Sequence, residues 1–306
     1  MLTVASLTQH ELARELAGPG IVLRTGAFAS RIRTPIRHVA EDIGLLYADY
    51  PIEGGDGFAD FHINLRQPGG LRRWFRPQVR FDHDGVAPFK PLPVGQAYPM
   101  LEWVLNWCVS SRANRYLIVH AAVLERAGGG AVVMPAPPGS GKSTLCAALV
   151  ASGWRLLSDE LALVRLEDGA LLPLPRPVSL KNRSIGVIRE FAPHMVMNRP
   201  VRDTSKGTVA HMKAPQDSVQ RAGQAARAAW IVFPKYRAGA VTRLTPLPQA
   251  RAFMRVAENA FNYSLLGQRG FCALADLIDD SSSFEFTYSD LAEAIDAFAA
   301  LPHPMR

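Results

Sequence analysis

The sequence has little cysteine and no long apolar run. Three cysteines, Cys108, Cys146 and Cys272, occur in 306 residues, and no two of them have the C-x-x-C spacing. This pattern excludes a disulfide framework and a zinc site built on cysteine pairs, and it fits a reducing compartment. No segment approaches the roughly 18 apolar residues of a spanning helix, and the first residues lack the basic and then apolar pattern of a signal peptide. We therefore expect a cytoplasmic protein without a membrane span.

Charge of one sign is not concentrated in any segment. The formal net charge is +7, from 34 Lys and Arg against 27 Asp and Glu. This mild basic excess favours an anionic partner such as a nucleotide or an acidic peptide. The lack of a block of like charges gives no reason to expect nucleic acid as a partner. Hydrophobic residues make up 48% of the chain, which excludes a wholly disordered protein.

Chain length and local patterns predict two regions. At roughly 100–200 residues per domain, we expect an α+β region over residues 1–112 and a larger α/β domain over residues 113–306. Thr8 and Glu11 have capping-box spacing ahead of a short first helix. The other elements predicted in the first region are a helix over 36–47, antiparallel strands between 58 and 81, a turn at Asp84-Gly85 and a buried apolar helix over 100–111.

From Tyr116 onward the pattern is typical of an α/β core. YLIVHAAVLER is a continuous apolar run of the kind found in parallel strands, and AVVMPA is a second strand. A glycine-rich loop, a helix and the segment WRLLSDELALVRL follow, and this order is typical of a nucleotide-binding core. The elements predicted beyond residue 170 are a helix over 184–191 capped by Ser184, a polar mobile loop over 198–225, a strand over 228–236, a helix over 246–262 and a final helix capped by Ser289.

One motif is strong. Residues 136–143 read APPGSGKS, the phosphate-loop pattern G-x-x-x-x-G-K-[ST] with Ala136 in the first glycine position. Glycines are needed because successive backbone N–H groups must turn toward phosphate oxygens, and the following helix presents its electropositive end. The nucleotide-binding residues predicted from this motif are Pro138, Gly139, Ser140, Gly141, Lys142, Ser143 and Thr144.

Four residues in and after this loop carry the expected chemistry. Lys142 is a point charge that can reach the β- and γ-phosphates, and the Ser143 hydroxyl is a hard ligand suited to Mg²⁺. Asp159 and Glu160 follow the next predicted strand, at the edge of the sheet where such folds bind ligands. Asp159 can accept a proton from a hydroxyl group or hold Mg²⁺ through water; alternatively, it only caps a turn.

At these positions the sequence resembles the HPr kinase/phosphorylase superfamily, in particular the shorter members called HprK-related kinase A. The resemblance rests on His120 in LIVHAAVLE, on APPGSGKST, on GWRLLSDELALV and on SLKNRSIGVI. Segments of the first region, among them LLYADYP, FADFHINLRQP and LEWVLNWC, also look like that subgroup. The similarity therefore covers most of the chain.

The resemblance implies a fold, a mechanism and an assembly. Residues 113–306 would form a P-loop kinase core of the HPr kinase C-terminal domain type, and family members tend to form homo-oligomers. Asp159 would be the general base that activates an acceptor hydroxyl. His120 would assist the proton transfer, and a histidine pKa near neutrality suits that role.

Two positions depart from the family pattern. Glu160 stands where bacterial HPr kinases typically carry a second Asp, and Lys181 stands where they carry a metal-binding Glu. A lysine cannot bind Mg²⁺, but it can neutralise phosphate charge. We therefore expect Lys181, Asn182 and Arg183 to contact substrate or phosphate. The departure speaks against the reverse phosphorolysis reaction and against HPr itself as the acceptor.

These features together favour a Mg²⁺-dependent kinase. It would transfer the γ-phosphoryl group of ATP or GTP to a hydroxyl, here a serine of a protein or peptide. Two alternatives stay open. One is a small-molecule kinase with the same chemistry, and the other is a nucleotide sensor or scaffold without catalysis, for which Lys181 is the best support.

Three further groups of residues have two interpretations each. Lys206, His211 and Lys213 lie in the polar stretch and either close over nucleotide or acceptor or belong to a surface loop. Trp74-Phe75 is either a recognition element or part of the core, and we interpret it as core. The basic residues of the first region form either a surface for an acidic peptide or, as is more usual, a solvated face. They are Arg31, Arg33, Arg37, Arg72, Arg73, Arg76 and Arg80.

Overall fold

The computed structural model describes residues 2–70, 74–83 and 87–302, which form a mixed α/β protein with three sheets. Arg72, Arg73 and the turn predicted at Asp84-Gly85 lie outside the described residues. Within the described ranges, no helix combines the length and the apolar character needed to cross a bilayer.

The first sheet lies in the N-terminal region and has six strands in the order β3-β1-β2-β4-β5-β6. Its strands β4 and β5 are antiparallel, as predicted. The capping box is also confirmed, because Glu11 N donates to Thr8 Oγ1 at 3.2 Å and Thr8 N donates to Glu11 Oε2 at 2.9 Å. The elements of this region are α1 Gln9–Ala17, β1 Ile21–Thr25, β2 Phe28–Arg33, α2 Arg37–Leu46, β3 Ile52–Gly54, β4 Phe61–Arg66, β5 Gln78–Asp82, β6 Leu92–Pro93 and α3 Ala97–Arg112, with short 3₁₀ helices at Val4–Ser6 and Val94–Gln96.

The second sheet has eight strands, in the order β11-β10-β7-β8-β15-β17-β16 with β9 paired beside β7. Helices cover both of its faces. Its first elements are β7 Tyr116–Glu125, β8 Ala131–Pro135, α4 Lys142–Ala151, β9 Arg155–Ser158, β10 Leu161–Arg165 and β11 Leu171–Leu172. A third sheet of three strands, in the order β12-β14-β13, follows in the chain. Its elements are β12 Val178–Lys181, α5 Arg183–Phe191, β13 Val201–Thr204, β14 Gly207–Met212 and the short helix α6 Gln216–Gln220. The second sheet is completed by β15 Ala228–Tyr236, β16 Arg243–Pro246, α7 Gln249–Glu258, α8 Tyr263–Leu266, α9 Gln268–Asp279, β17 Ser282–Tyr288 and α10 Leu291–Ala299.

The apolar strand β7 is antiparallel to β8, β9 and β10, so the prediction of a parallel strand is wrong. Its alternate residues belong to two different cores. Ile118, Ala122 and Leu124 pack in the cluster that contains α4, whereas Val119 and Val123 pack in the cluster that contains α7 and α9. The run is apolar because both faces are buried, and that condition does not depend on strand direction.

The predicted mobile loop over residues 198–225 is also wrong, since it contains β13, β14 and α6. Strand β14 pairs with β12, for example Leu180 with Ala210. This pairing joins segments about thirty residues apart, so the local sequence carries little signal for it.

Three smaller predictions are corrected in the same way. Ser184 lies inside α5, where its hydroxyl donates to Lys181 O at 2.7 Å, and does not cap the helix. Helix α10 is capped by Asp290, whose Oδ1 accepts from Glu293 N at 3.0 Å, while the Ser289 hydroxyl donates elsewhere. Trp74 and Phe75 are not core residues, because 82% and 68% of their surfaces are exposed.

The N-terminal region and the α/β part meet at a buried carboxylate. The hydroxyl groups of Tyr47 and Tyr98 each donate to Glu102 Oε1 at 2.7 Å. Arg176, from the segment before β12, forms an ion pair with Glu102 Oε2 at 3.5 Å. Helix α3, which carries Glu102, therefore packs against both regions. One cluster of buried hydrophobic residues extends through both of them.

We expect Glu102→Ala to destabilise the protein by about 3–5 kcal/mol, because it leaves a buried guanidinium and two hydroxyl groups without their partner. Glu15→Ala is the control, since its ion pair with Arg14 is largely exposed and is worth about 1 kcal/mol or less. Urea unfolding of both variants measures the difference. Equal small losses would mean that Glu102 does not hold the two regions together.

Candidate functional site

The topology of the second sheet brings four predicted residues to one edge. Both β8 and β9 are antiparallel to β7, which lies between them, so they run in the same direction and end at the same edge. The loop after β8 carries Lys142, and Asp159 and Glu160 join β9 to β10. His120 of β7 faces the start of β10, and Ala121 N donates to Glu160 O at 3.2 Å. Residues that are far apart in the sequence therefore meet here.

The glycine-rich loop is held in place by two strands of the same sheet. Gly139 and Gly141 both have left-handed backbones, with φ of 86° and 89°. Tyr236 N, at the end of β15, donates to Ser140 O at 2.9 Å, and the Tyr288 hydroxyl, at the end of β17, donates to Gly141 O at 3.0 Å. Helix α4 begins at the next residue, so its electropositive end opens into the loop.

Three buried polar groups at this edge have no hydrogen-bond partner among the described residues. They are Ser140 Oγ, Lys142 Nζ and Asp159 Oδ1. The other oxygen of that carboxyl group, Oδ2, accepts from Ser179 N at 3.1 Å. An unsatisfied buried group costs about 1–3 kcal/mol, and more when it is charged. The arrangement has the form of a site in which a ligand supplies the missing partners.

The two neighbouring carboxyl groups are in different electrostatic environments. Burial, reinforced by Glu160, raises the pKa of Asp159. Burial alone would raise the pKa of Glu160 as well, but the ammonium groups of Lys181, Lys206 and Lys142 outweigh burial and lower it. Asp159 is therefore the stronger base of the two, and Glu160 stays ionised.

His120 is neutral at physiological pH. Burial, reinforced by the charge of Lys142, lowers its pKa to about 4. The expectation of a pKa near neutrality is therefore wrong. His120 can accept or orient a hydrogen bond at this edge, but at neutral pH it does not supply a proton from an imidazolium. Its ring lies 6.0 Å from that of Phe261.

The segment Lys181-Asn182-Arg183 lies beside the loop, because β12 and α5 both pack against α4. Lys181 faces the carboxyl groups and contributes to the low pKa of Glu160. Asn182 has a positive φ of 52°, and its Oδ1 accepts from Thr208 N at 3.0 Å. The exposed side chain of Arg183 makes no hydrogen bond or ion pair with the described residues of the site. The structure thus brings Lys181 to the site and leaves Arg183 outside.

Next to Asp159 lies a pocket, part of whose wall the sequence did not predict. Trp103 and Asn106 of α3 form one side, although they belong to the N-terminal region. Asn106 Nδ2 donates to Glu160 Oε2 at 2.7 Å. In the sequence, the sign that Asn106 has a special role was its amide side chain within the otherwise apolar segment WVLNWC. The pocket is lined by Glu102, Trp103, Asn106, Ser158, Asp159, Glu160, Leu174, Arg176, Pro177, Ser179 and His211.

The oxygen atoms at this edge suit one hard cation that is bound together with a polyphosphate. The described residues contain no group of three or more His, Cys, Asp or Glu side chains arranged to hold a metal ion. Ser143, in the first turn of α4, and the unpartnered Oδ1 of Asp159 offer two oxygen ligands. Mg²⁺ commonly binds through one or two protein oxygens, substrate phosphates and water.

Comparison with known proteins adds no relative: no family model matches the chain, and no curated protein is significantly similar to it.

Gly141→Ala should destabilise the protein more than Gly139→Ala. Both substitutions place a side chain on a left-handed backbone, at a cost of about 1–2 kcal/mol. A Cβ at Gly141 would also lie 2.5 Å from Tyr288 Oη and 2.9 Å from Tyr236 Cβ, whereas a Cβ at Gly139 meets nothing within 4 Å. The overpacking adds about 1–3 kcal/mol. Denaturant unfolding that ranks the two variants equally would contradict this packing.

The stability of the protein should fall as the pH is lowered below 6.5. Burial lowers the pKa of His211 from 6.5 to about 3, and neither ring nitrogen has a hydrogen-bond partner within residues 2–70, 74–83 and 87–302. The unfolded chain therefore takes up the proton first, and the stabilisation present above pH 6.5 is lost progressively between 6.5 and 3.

His211→Gln removes one such group, so its free energy of unfolding should depend less steeply on pH, by up to about 1.4 kcal/mol per pH unit. His10→Gln, at an exposed position of α1, is the matched control and should keep the wild-type slope. Urea unfolding at several pH values measures the three slopes. An unchanged slope in His211→Gln would show that this imidazole does not titrate as described.

Proposed function

We propose that this protein is a Mg²⁺-dependent kinase with a P-loop core of the HPr kinase C-terminal domain type, which transfers the γ-phosphoryl group of ATP or GTP to a hydroxyl. The acceptor we propose first is a serine of a protein or peptide. The observation that carries the proposal is the pair Lys142 Nζ and Asp159 Oδ1, which are both buried and have no hydrogen-bond partner in the part of the chain that the structure describes. They lie at the edge where a left-handed glycine loop meets the N-terminus of α4.

The loop supplies the nucleotide site in this proposal. Backbone N–H groups around Gly139 and Gly141 surround the phosphates, and Lys142 holds the β- and γ-phosphates. Ser143 would hold Mg²⁺ directly and Asp159 would hold it through a water molecule, and the ion would neutralise phosphate charge. Burial lowers the pKa of Lys142 although Asp159 and Glu160 oppose the shift, and the ammonium group has no hydrogen-bond partner among the described residues. A polyphosphate would provide that partner.

The acidic pair supplies the proton chemistry. Asp159 accepts the proton of the acceptor hydroxyl while the acceptor oxygen bonds to the γ-phosphorus and the bond to the β-phosphate oxygen breaks, which leaves the nucleoside diphosphate. A base with a raised pKa suits this step. Glu160 stays ionised because the surrounding ammonium groups lower its pKa, and neutral His120 can accept a hydrogen bond at the same edge.

A small-molecule hydroxyl is the second candidate acceptor. The pocket beside Asp159 encloses only about 20 Å³, which is room for about one water molecule. A compact acceptor would therefore lie at the mouth of the pocket and present only its hydroxyl to the carboxylate. The side chain of a single serine would fit there equally well, so the acceptor screen has to include both classes.

Asp159→Asn should lose phosphoryl transfer by about 10²–10⁴-fold and keep nucleotide binding, because it removes the base and leaves the loop intact. Lys142→Ala should weaken both. The assay uses γ-labelled ATP or GTP with Mg²⁺, a serine-containing peptide library and a metabolite pool. Asp168→Asn, whose carboxylate pairs with exposed Arg165 and Arg227, is the control and should transfer normally.

Three outcomes separate the alternatives. Label in a peptide or in a metabolite identifies the acceptor class. Tight nucleotide binding without transfer to any acceptor would favour a sensor or scaffold. Equal transfer by Asp159→Asn and the wild type would remove Asp159 as the base.

A further inference from the structure

The turn between β13 and β14 brings a third lysine to the site. The Thr204 hydroxyl donates to Gly207 O at 2.7 Å, and Lys206 N donates to Thr204 Oγ1 at 3.1 Å, so the turn is closed on itself. Asn182 fixes the turn to the segment that carries Lys181, because its Oδ1 accepts from Thr208 N at 3.0 Å. The positive φ of Asn182 is the backbone cost of this connection.

The ammonium group of Lys206 lies at the mouth of the pocket. Its Nζ is 5.2 Å from the centre of the Trp103 ring, and Trp103 lines the pocket together with Asp159 and Glu160. A cation–π contact at an exposed residue is weak, so an anion that reaches the pocket can replace it. Lys206 is an exposed residue of the turn and is free to make that exchange.

Positive charge exceeds negative charge around the acidic pair. Lys142, Lys181 and Lys206 all act on Glu160, and Asp159 is the second carboxyl group of the cluster. Lys142 begins α4, directly after a strand of the second sheet, whereas Lys206 lies in the turn between β13 and β14 of the third sheet. Both lysines therefore approach the acidic pair only in the folded protein. An anion bound between Lys142 and Lys206 would neutralise the excess positive charge.

We propose that Lys206 binds the terminal phosphate of a nucleoside triphosphate, and that it leaves the Trp103 ring to do so. This inference rests on the proposed function only in requiring that a nucleotide occupies the loop. The loop and Lys142 contact the β-phosphate, which a diphosphate also has, and Lys142 reaches the γ-phosphate as well, whereas Lys206 contacts the γ-phosphate alone. Lys206 therefore strengthens the preference of the site for a triphosphate over a diphosphate.

The test is calorimetric titration of the full chain with Mg²⁺-ADP and with a non-hydrolysable Mg²⁺-ATP analogue. Lys206→Gln should weaken binding of the analogue by about tenfold or more, as expected for loss of a charge-assisted hydrogen bond, and leave ADP binding within about twofold. Lys206→Arg should retain most of the preference. Arg202→Gln, at an exposed position of the same hairpin, is the matched control and should leave both affinities unchanged.

Trp103 fluorescence supplies a second readout that does not depend on affinity. The ATP analogue should change the emission of the wild type when Lys206 leaves the ring, and ADP should not. The change should disappear in Trp103→Phe and in Lys206→Gln. Wild-type changes that are equal for ADP and the analogue would contradict the proposal.

The outcomes also separate this inference from the kinase proposal. Equal losses of both nucleotides in Lys206→Gln, or no loss of either, would overturn the role of Lys206 whether or not transfer occurs. Selective loss of the analogue in a protein that transfers no phosphoryl group would support Lys206 and overturn the kinase. A wild type that binds neither nucleotide would overturn both.

Discussion

The site depends on one strand that is buried on both faces. Because β7 is antiparallel to its neighbours on each side, β8 and β9 must run in the same direction and release the chain at the same edge. The glycine loop and Asp159 therefore lie close together at this edge, on either side of the strand that carries His120. Alternate side chains of β7 are fixed in two separate cores, so a one-residue shift would exchange both sets at once. The sheet thus holds the site rigidly.

On this rigid edge, opposite charges are buried close together without being neutralised. Lys142 and Asp159 influence each other's pKa, yet Lys142 Nζ has no hydrogen-bond partner among the described residues. A structural ion pair would supply that partner, since burial of unpaired charge is costly. In the proposed function, these unpaired groups would be oriented in advance for a ligand, as in preorganised sites. The N-terminal region takes part, because Asn106 of α3 holds Glu160.

Sequence reasoning succeeded where the signal was local and failed where it was not. The capping box at Thr8, the helices α2 and α3 and the loop before α4 follow from residues within a few positions of one another. Strands β13 and β14 were predicted as a mobile loop, because β14 is stabilised by pairing with β12, and β13 by pairing with β14, and not by their own polar sequence. Asn106 and Trp103 were missed as site residues for the same reason.

The sequence by itself determined the left-handed glycine loop, the lysine that follows it and the order strand, loop, helix, strand, since each depends on backbone sterics and short-range periodicity. Only the tertiary structure decided the direction of β7, the neutral state of His120 and the convergence of Lys181 and Lys206 on Glu160. Strand direction, burial and long-range charge arise from contacts between segments far apart in the chain, and no local pattern encodes them.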